Sequence, residues 1–392
     1  MPIVNHKIIF KELDIDKNTS VFLELRISPT ALSEYFAPKV GVTYKNKTIY
    51  HTFEEGGQGL RYLNLSHFDF DTEGEIVLSG HLLHIKDQNT TLLVYKNPDL
   101  NNKKILILAP HPDDAEIASY GLYAKYHENV HIVTITAGDF QSNFGYSQVF
   151  KTKEEQVLAK GKKRLIDSIT VPLHGGVVPE KCVNLGFFDG KLREMFFKKT
   201  QNSHNTYLKT EDINTFRQYN VSSLTQTLTG TSNWVSLVNN LRHLLDKLKP
   251  DIIISPHHYL DNHGDHQFTT HALLEALKSS SIKKGTLLLY TNHATQSEYY
   301  PYGNSDEPIT LPPSFNEKVY FNSIYSHPLS KATQNNKILA LEEMSDLRFT
   351  PDGSLFQSPC KDKVQFLCTD YSYLRRSARP NELFFVIDIE KL

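Results

Sequence analysis

The chain has 392 residues, of which 42 are Lys or Arg and 44 are Asp or Glu, so its formal net charge is −2. This near balance produces no large field of one sign and therefore argues against nucleic acid as a partner. The length exceeds the size at which single hydrophobic cores usually stop growing, which favours two domains.

Cysteine usage and hydropathy indicate a cytoplasmic protein. The three cysteines, Cys182, Cys360 and Cys368, have no zinc-site spacing and no even disulfide framework, which favours a reducing compartment. Residues 1–18 lack the apolar segment of a signal peptide, and no run of about 18 apolar residues occurs, so no membrane insertion is expected. The oligomeric state is not predicted.

Residues 1–98 predict a small all-β accessory domain, a β-sandwich. Short alternating stretches are separated by turns rich in Gly, Asn and Asp, and helical periodicity is weak. The polar segment 97–103 is typical of a boundary, so we assign 99–392 to a second domain. The strands predicted in the first domain are 21–27, 40–44, 76–85 and 91–95.

From residue 99 onward, predicted strands alternate with predicted helices. This alternation indicates βαβ units and therefore an α/β, Rossmann-like fold with a mainly parallel sheet and flanking helices. The stretch 198–232 lacks a sustained apolar period and predicts an excursion over the surface. The predicted strands are 104–109, 131–136, 252–254, 286–290 and 383–389, and the predicted helices are 115–126, 153–169, 234–248, 267–278 and 331–344.

Two polar clusters follow two of these strands. His111-Pro112-Asp113-Asp114 comes directly after the apolar run 105–109, and His263-Gly264-Asp265-His266 follows 252–254. Open α/β sheets carry their chemistry at such strand ends. A single His-Pro-Asp turn is usually no more than a capped helix start, but the pair of clusters predicts a metal site.

A catalytic zinc ion takes three protein ligands and leaves a position open for water. His111, Asp114 and His266 match that count. Two adjacent carboxylates in a tight turn do not both suit one ion, so Asp113 is predicted to act as the general base. His263 is predicted to face the substrate carbonyl as an imidazolium and to protonate the leaving amine.

The remaining residues of the second region have supporting roles in this interpretation. Asp265 is predicted to hold His263 in its charged form. His257 and His258 lie before the turn, where packing or hydrogen bonding at the strand end is favoured over contact with substrate.

The nine residues from Ala109 to Ile117 resemble the signature of the PIG-L (LmbE-like) zinc N-deacetylase superfamily, and residues 263–266 resemble its second motif. Weaker agreement occurs at 136–139, at 185–190 and at 249–251. The resemblance covers about residues 103–280. Members of this superfamily remove acetyl groups from N-acetylglucosamine units.

The resemblance implies the same zinc ligands, base and electrophilic imidazole as the chemistry does, with another divalent ion such as Fe²⁺ as an alternative to Zn²⁺. It also implies that Asp139 and Asp189 bind sugar hydroxyls, although Asp beside Gly is a common turn former. The family often has Arg shortly before the glutamate that opens the third helix, where this chain has Lys151 and Lys153.

The expected function is hydrolysis of the acetamide of an N-acetylated amino sugar or its conjugate, giving acetate and free amine. One alternative is a glycan-binding protein with a degenerate deacetylase domain. Another is an esterase or a different amidase that uses the same metal site.

Three further stretches each have two interpretations. Residues 56–62 form either a hairpin turn or a loop that reaches the catalytic mouth. The Tyr-rich residues 297–303 either stack on a sugar ring or form an ordinary surface loop. The Arg-rich residues 375–380 either bind a substrate anion or form a solvated, salt-bridged face.

Overall fold

The computed structural model describes residues 1–13, 15–140, 144–294, 299–313, 321–344, 347 and 373–392. Two of the cysteines, Cys360 and Cys368, lie outside the described residues, as do Ser297 and Glu298 of the Tyr-rich stretch. Among the described helices, none is both long enough and apolar enough to cross a membrane.

The strands and helices are numbered in chain order. The strands are β1 Lys7–Phe10, β2 Thr19–Pro29, β3 Lys39–Tyr44, β4 Lys47–Thr52, β5 Gly59–Asn64, β6 Gly74–His81, β7 Leu83–Ile85, β8 Leu92–Lys96, β9 Ile105–Ala109, β10 Val130–Thr136, β11 Cys182–Phe187, β12 Ile252–Pro256, β13 Thr286–Tyr290, β14 Ser323–Pro328 and β15 Asn381–Asp388. The helices are α1 Asp114–Tyr126, α2 Phe144–Val149, α3 Lys153–Thr170, α4 Leu192–Lys198, α5 Asn214–Arg217, α6 Trp234–Leu248, α7 Gly264–Ser279, α8 Lys331–Glu343 and α9 Tyr373–Ser377.

The chain forms two compact units, and their first junction along the chain lies between Pro98 and Asp99. Among the described residues, 299–313, 321–334 and 373–384 group with the N-terminal unit, whereas the predicted boundaries assigned them to the domain 99–392.

The first unit contains two antiparallel sheets. One has the order β1-β6-β3-β4, and in the other β5, β7 and β8 all pair with β2. Alternate residues of both sheets point into one apolar core, which includes Leu23 and Leu25 from β2 and Val40 and Val42 from β3. Two sheets around one core form the arrangement that the prediction of a β-sandwich requires.

The region 76–85, predicted as a single strand, is in fact two strands in different sheets. Leu82 has a positive φ of 59°, a left-handed conformation that turns the chain between β6 and β7. Residues 56–62 also divide, because β5 begins at Gly59, after a turn in which the Gly57 N–H donates to the Glu54 carbonyl at 3.0 Å.

Later parts of the chain complete the first unit. Asn64 Nδ2 donates to the Ile309 carbonyl at 2.8 Å and to Ser326 Oγ at 2.9 Å. The arginines of the stretch 375–380 are buried, so they do not form the solvated face that was one of the two predictions. They donate instead to backbone carbonyls between Tyr299 and Glu307, through Arg375 to Pro301 and Gly303, Arg376 to Tyr300, and Arg379 to Tyr302 and Glu307.

The second unit has a mixed α/β fold with a mostly parallel sheet, as predicted. Its strand order is β11-β10-β9-β12-β13, all parallel, followed by the antiparallel β15. All five residues of β9 and all five of β12 are buried, as expected for inner strands covered on both faces.

Sequence signals at the helix termini explain where the helices begin and end. Thr152 and Glu155 form a capping box at the start of α3, and the Asn233 side chain accepts the Ser236 N–H at the start of α6. Lys249 adopts a left-handed conformation that ends α6 before Pro250. The stretch 198–232 was predicted to be an excursion over the surface. After the last residue of α4 it contains the short helix α5 and the 3₁₀ turn Ser223–Thr227, and some of its side chains, such as Ile213 and Phe216, are buried.

The strand order determines where the site lies. From β9 the chain proceeds outward through β10 to β11, and β12 then pairs on the other side of β9, with Ile252 opposite Ile105. Beyond the carboxyl ends of β9 and β12 there is therefore a topological switch point, where α/β folds bind ligands. The first polar cluster follows β9 and the second follows β12.

Candidate active site

The first cluster is a turn between β9 and α1. The His111 N–H donates to Asp114 Oδ2 at 2.9 Å, which fixes the Asp114 carboxylate beside the His111 ring. Asp113 precedes the helix but its side chain does not cap it. Its carboxylate Oδ2 instead accepts a hydrogen bond at 2.8 Å from Arg164, a residue of α3 that the sequence analysis did not single out.

The second cluster lies where α7 begins. His263 is the residue before the first helical residue, and Asp265 and His266 occupy the first turn. His266 is fully buried. Successive helical residues point about 100° apart around the axis, so Asp265 and His266 face different neighbours.

The three predicted metal ligands meet. His111 Nδ1, Asp114 Oδ2 and His266 Nε2 form a triangle in which all three separations are 3.2 Å. Donors at zinc distances of about 2.0–2.2 Å in a tetrahedral arrangement lie roughly 3.3–3.5 Å apart. The nitrogen and carboxylate donors therefore fit a small divalent cation in both chemistry and spacing.

Other combinations of ligand atoms also lie within 4.8 Å of one another among the described residues. They are His111 with His263 and His266, and His111 with Asp189 and Asp265. The second combination involves the other nitrogen of the His111 ring. Nε2 lies 3.2 Å from Asp189 Oδ1 and 3.4 Å from Asp265 Oδ2. If His111 held a metal through Nδ1, its Nε2–H would donate to these carboxylates.

His266 has the same kind of support. Its Nδ1 lies 3.1 Å from Asp261 Oδ2, so Nε2 is left for the metal position. Asn292 Nδ2 donates to Asp114 Oδ1 at 2.7 Å and orients the third ligand. Sequence reasoning missed both residues, although Asn292 carries a usable signal as a polar residue two positions after the buried strand β13.

The electrostatics of the site favour a cation. Burial alone would lower the pKa of His266, but Asp114 and Asp261 raise it to about 10. His111 behaves likewise, because the effect of burial is outweighed by Asp189 and by hydrogen bonds to carboxylates, and its pKa is raised well above the usual value. The carboxylates that hold these protons on the imidazoles would equally stabilise a metal ion in their place.

Asp139 and Asp189 lie together but differ in access to the site. Asp139 is fully buried, and it accepts the Asp189 N–H at 2.9 Å and a hydrogen bond from Asn205 Nδ2. Burial, together with the Asp189 charge, raises the pKa of Asp139 to about 7. Asp189 is the residue of the pair that contacts His111.

The structure brings His263 to the site, but it pairs Asp265 with other groups. The Asp265 carboxylate accepts the N–H groups of Gly190 at 2.7 Å and Leu192 at 3.1 Å and faces His111. The His263 ring lies 4.7 Å from that of His111, and burial with the nearby histidines lowers the pKa of His263 to about 4. Asp265 raises the pKa of His263, but the other effects outweigh it. The geometry therefore does not favour the predicted imidazolium, nor the predicted transfer of a proton from His263 to the leaving amine.

His257 is a structural residue, as the sequence favoured. Its Nδ1 accepts the N–H groups of Tyr259 and Leu260, both at 3.2 Å, and so shapes the loop after β12. Burial lowers the pKa of His257 to about 3. His258 stacks on it, with ring centroids 5.5 Å apart.

We expect Asp261→Asn to weaken metal binding by about 10- to 100-fold, because replacing the carboxylate weakens the orientation of the His266 ring. The measurement is a titration of the metal-free protein with Zn²⁺ against a competing chelator. Asp246→Asn is the matched control. The Asp246 carboxylate also accepts a backbone N–H, that of Ser281, but it does not orient any of the three proposed metal ligands. Equal affinities for Asp261→Asn and the parent would contradict this role.

The comparison with protein-family models agrees with the resemblance found in the two sequence motifs. A family model described as PIG-L, GlcNAc-PI de-N-acetylase, matches residues 106–277. No curated protein matches the chain significantly. The fold and the donor set define an α/β protein with a candidate mononuclear metal centre. More particularly, residues 106–277 form a PIG-L family domain.

Several solved structures are similar to the chain. The zinc-inhibited form of teicoplanin deacetylase Orf2 is 15% identical with a TM-score of 0.41, over 72% of this chain and 98% of that one. N,N'-diacetylchitobiose deacetylase from Pyrococcus horikoshii is 18% identical with a TM-score of 0.37, over 65% and 75%. The hydratase GalB from Pseudomonas putida KT2440 is 12% identical with a TM-score of 0.37, over 73% and 95%.

Proposed function

We propose that this protein is a metal-dependent hydrolase that removes the N-acetyl group from an N-acetylglucosamine-type amino sugar or its conjugate. The observation that carries the proposal is the triangle of His111 Nδ1, Asp114 Oδ2 and His266 Nε2, with the Asp113 carboxylate next to it in the chain. The PIG-L family model, described as a GlcNAc-PI de-N-acetylase, supports the choice of an acetamide as the bond cleaved.

His111, Asp114 and His266 would hold the metal, and we propose Zn²⁺, with Fe²⁺ as the alternative. Such an ion supplies a Lewis acid for the acetamide oxygen and lowers the pKa of water to about 7. Asp261 and Asn292 orient two of its ligands, and Asp189 accepts from the third.

Asp113 takes the proton of the attacking water and passes it towards the leaving amine. We propose that its carboxylate reaches this water, because Asp113 lies two residues after His111 and directly before Asp114 in the same turn. His263 faces the metal position from the second cluster, and its buried Nδ1 lacks a hydrogen-bond partner within the described structure. We propose that this imidazole contacts the acetamide oxygen as charge develops there.

We propose that Asp189 binds substrate hydroxyls. Asp139 holds Asp189 in place by accepting the Asp189 N–H. The cysteine usage of the sequence supports a cytoplasmic location as part of the proposal. The acetylated sugar is the only partner proposed.

The test is an amine-release assay on a panel of N-acetylglucosamine conjugates, with metal content measured on the same samples. Release of free amine and acetate in equal amounts from acetamides is the expected result. Hydrolysis of matched esters without hydrolysis of acetamides would replace the proposal with the esterase alternative. Affinity for the sugars without any amine release would support a glycan-binding protein.

A further inference from the structure

Arg164 contacts the motif turn at two points. It lies in the C-terminal half of α3, and only 5% of its surface is exposed. Its Nη2 donates to Asp113 Oδ2 at 2.8 Å and to the Pro112 carbonyl at 2.9 Å, while Nη1 donates to the Gly138 carbonyl at 3.3 Å. A guanidinium is planar and rigid, so these contacts fix the carboxylate relative to the backbone beside it.

Asp113 needs such a constraint. Its φ of 149° and ψ of −25° lie outside the regions that non-glycine residues usually adopt. Conformations of this kind persist only where the surroundings impose them, and they cluster at active sites. Arg164 meets both the side chain of Asp113 and the peptide carbonyl just before it.

The end of β10 is shaped to admit the guanidinium. Gly138 has a φ of 67°, and a Cβ at this position would lie 2.5 Å from Arg164 Nη1 and 2.9 Å from Pro112 Cδ. A side chain here would therefore exclude the arginine from its position against the turn. Glycine at 138 both allows the backbone conformation and leaves the space for Arg164.

We infer that Arg164 is the positioning residue for the Asp113 carboxylate, holding it at the orientation in which it receives a proton. The expected loss of rate rests on the proposed function, whereas the expected effect of Arg164 on the conformation of Asp113 does not. The cationic residue that contacts the first motif therefore lies in the C-terminal half of α3.

The kinetic test compares Arg164→Ala, Arg164→Lys and Arg217→Ala. Arg217 is the matched control because it is also a buried arginine, but it donates to the backbone carbonyls of Leu185 and Thr229. A misplaced catalytic group costs about 100-fold in rate, so we expect that loss in kcat for Arg164→Ala, with KM and bound Zn²⁺ close to the parent values. Guanidinium at non-denaturing concentration should restore much of the rate, and ethylammonium should not.

Arg164→Lys should recover only part of the rate, because an ammonium does not reproduce the forked contact. A kcat for Arg164→Ala near that of the parent would overturn the inference. So would a loss equal to that of Arg217→Ala, or a loss that follows the metal content and does not respond to guanidinium.

A second measurement does not depend on activity. In a crystal structure of metal-free Arg164→Ala, we expect the Asp113 carboxylate to move away from the turn and its φ to leave the positive region. An unchanged Asp113 would overturn the inference. If the parent protein releases no amine but Asp113 moves as expected, the proposed function fails while the role of Arg164 stands.

Discussion

Asp113→Asn should reduce kcat by about 10²- to 10⁴-fold, the contribution that general base catalysis typically makes. The amide has nearly the same shape as the carboxylate, and its oxygen still accepts from Arg164, so the turn should keep its conformation. It does not accept a proton at neutral pH. Amine release under saturating substrate, with Zn²⁺ content determined in parallel, measures the effect.

The metal content distinguishes a lost base from a damaged site. We expect Asp113→Asn to bind as much Zn²⁺ as the parent, because the triangle of donors does not include Asp113. Asp71→Asn is the control, since that carboxylate is exposed and pairs with Lys45 at 2.8 Å, a surface contact of little energetic weight. Near-normal turnover by Asp113→Asn would show that another group is the base.

His266→Gln should lose both the metal and the activity. The substitution removes one of three donors. Replacing a residue that only orients a ligand lowers metal affinity by up to about 100-fold, so we expect a larger loss here. Amine release should then be undetectable at Zn²⁺ concentrations that saturate the parent. Treating the parent with a chelator should abolish amine release, and adding Zn²⁺ back should restore it.

His271→Gln tests whether any histidine of α7 matters in this way. His271 lies in the same helix, but its ring packs against Phe268 and Phe196, with centroids 5.4 Å and 5.8 Å away. It should keep the metal and the rate. Retention of metal by His266→Gln, with circular dichroism like that of the parent, would exclude His266 as a ligand.

The sequence was most informative where a wholly apolar strand is followed by a cluster of polar residues. The runs 105–109 and 252–254 predicted two buried parallel strands, and the clusters after them predicted the three donors that the structure places 3.2 Å apart. This works because the carboxyl ends of neighbouring parallel strands meet at one sheet edge.

Contacts between loops and helices distant in sequence were not predictable in the same way. Arg164 lies 51 residues from Asp113, and Asn292 lies 178 residues from Asp114. Asp265 was assigned to its near neighbour His263, but helix geometry turns it towards Gly190 and Leu192. Periodicity indicates which face of an element is buried, and it carries no information about which loop lies opposite.

The first unit is discontinuous along the chain, and this affects how it can fold while the chain is being synthesised. Asn64 hydrogen-bonds to Ile309 and Ser326, and the loop containing Gly303 receives Arg375 and Arg379. When residue 98 leaves the ribosome, the β-sandwich therefore still lacks partners that are about 200 to 280 residues away. Its last hydrogen bonds form only after Arg375 and Arg379 have been made, so a ribosome that stalls before Arg375 leaves an unfinished β-sandwich.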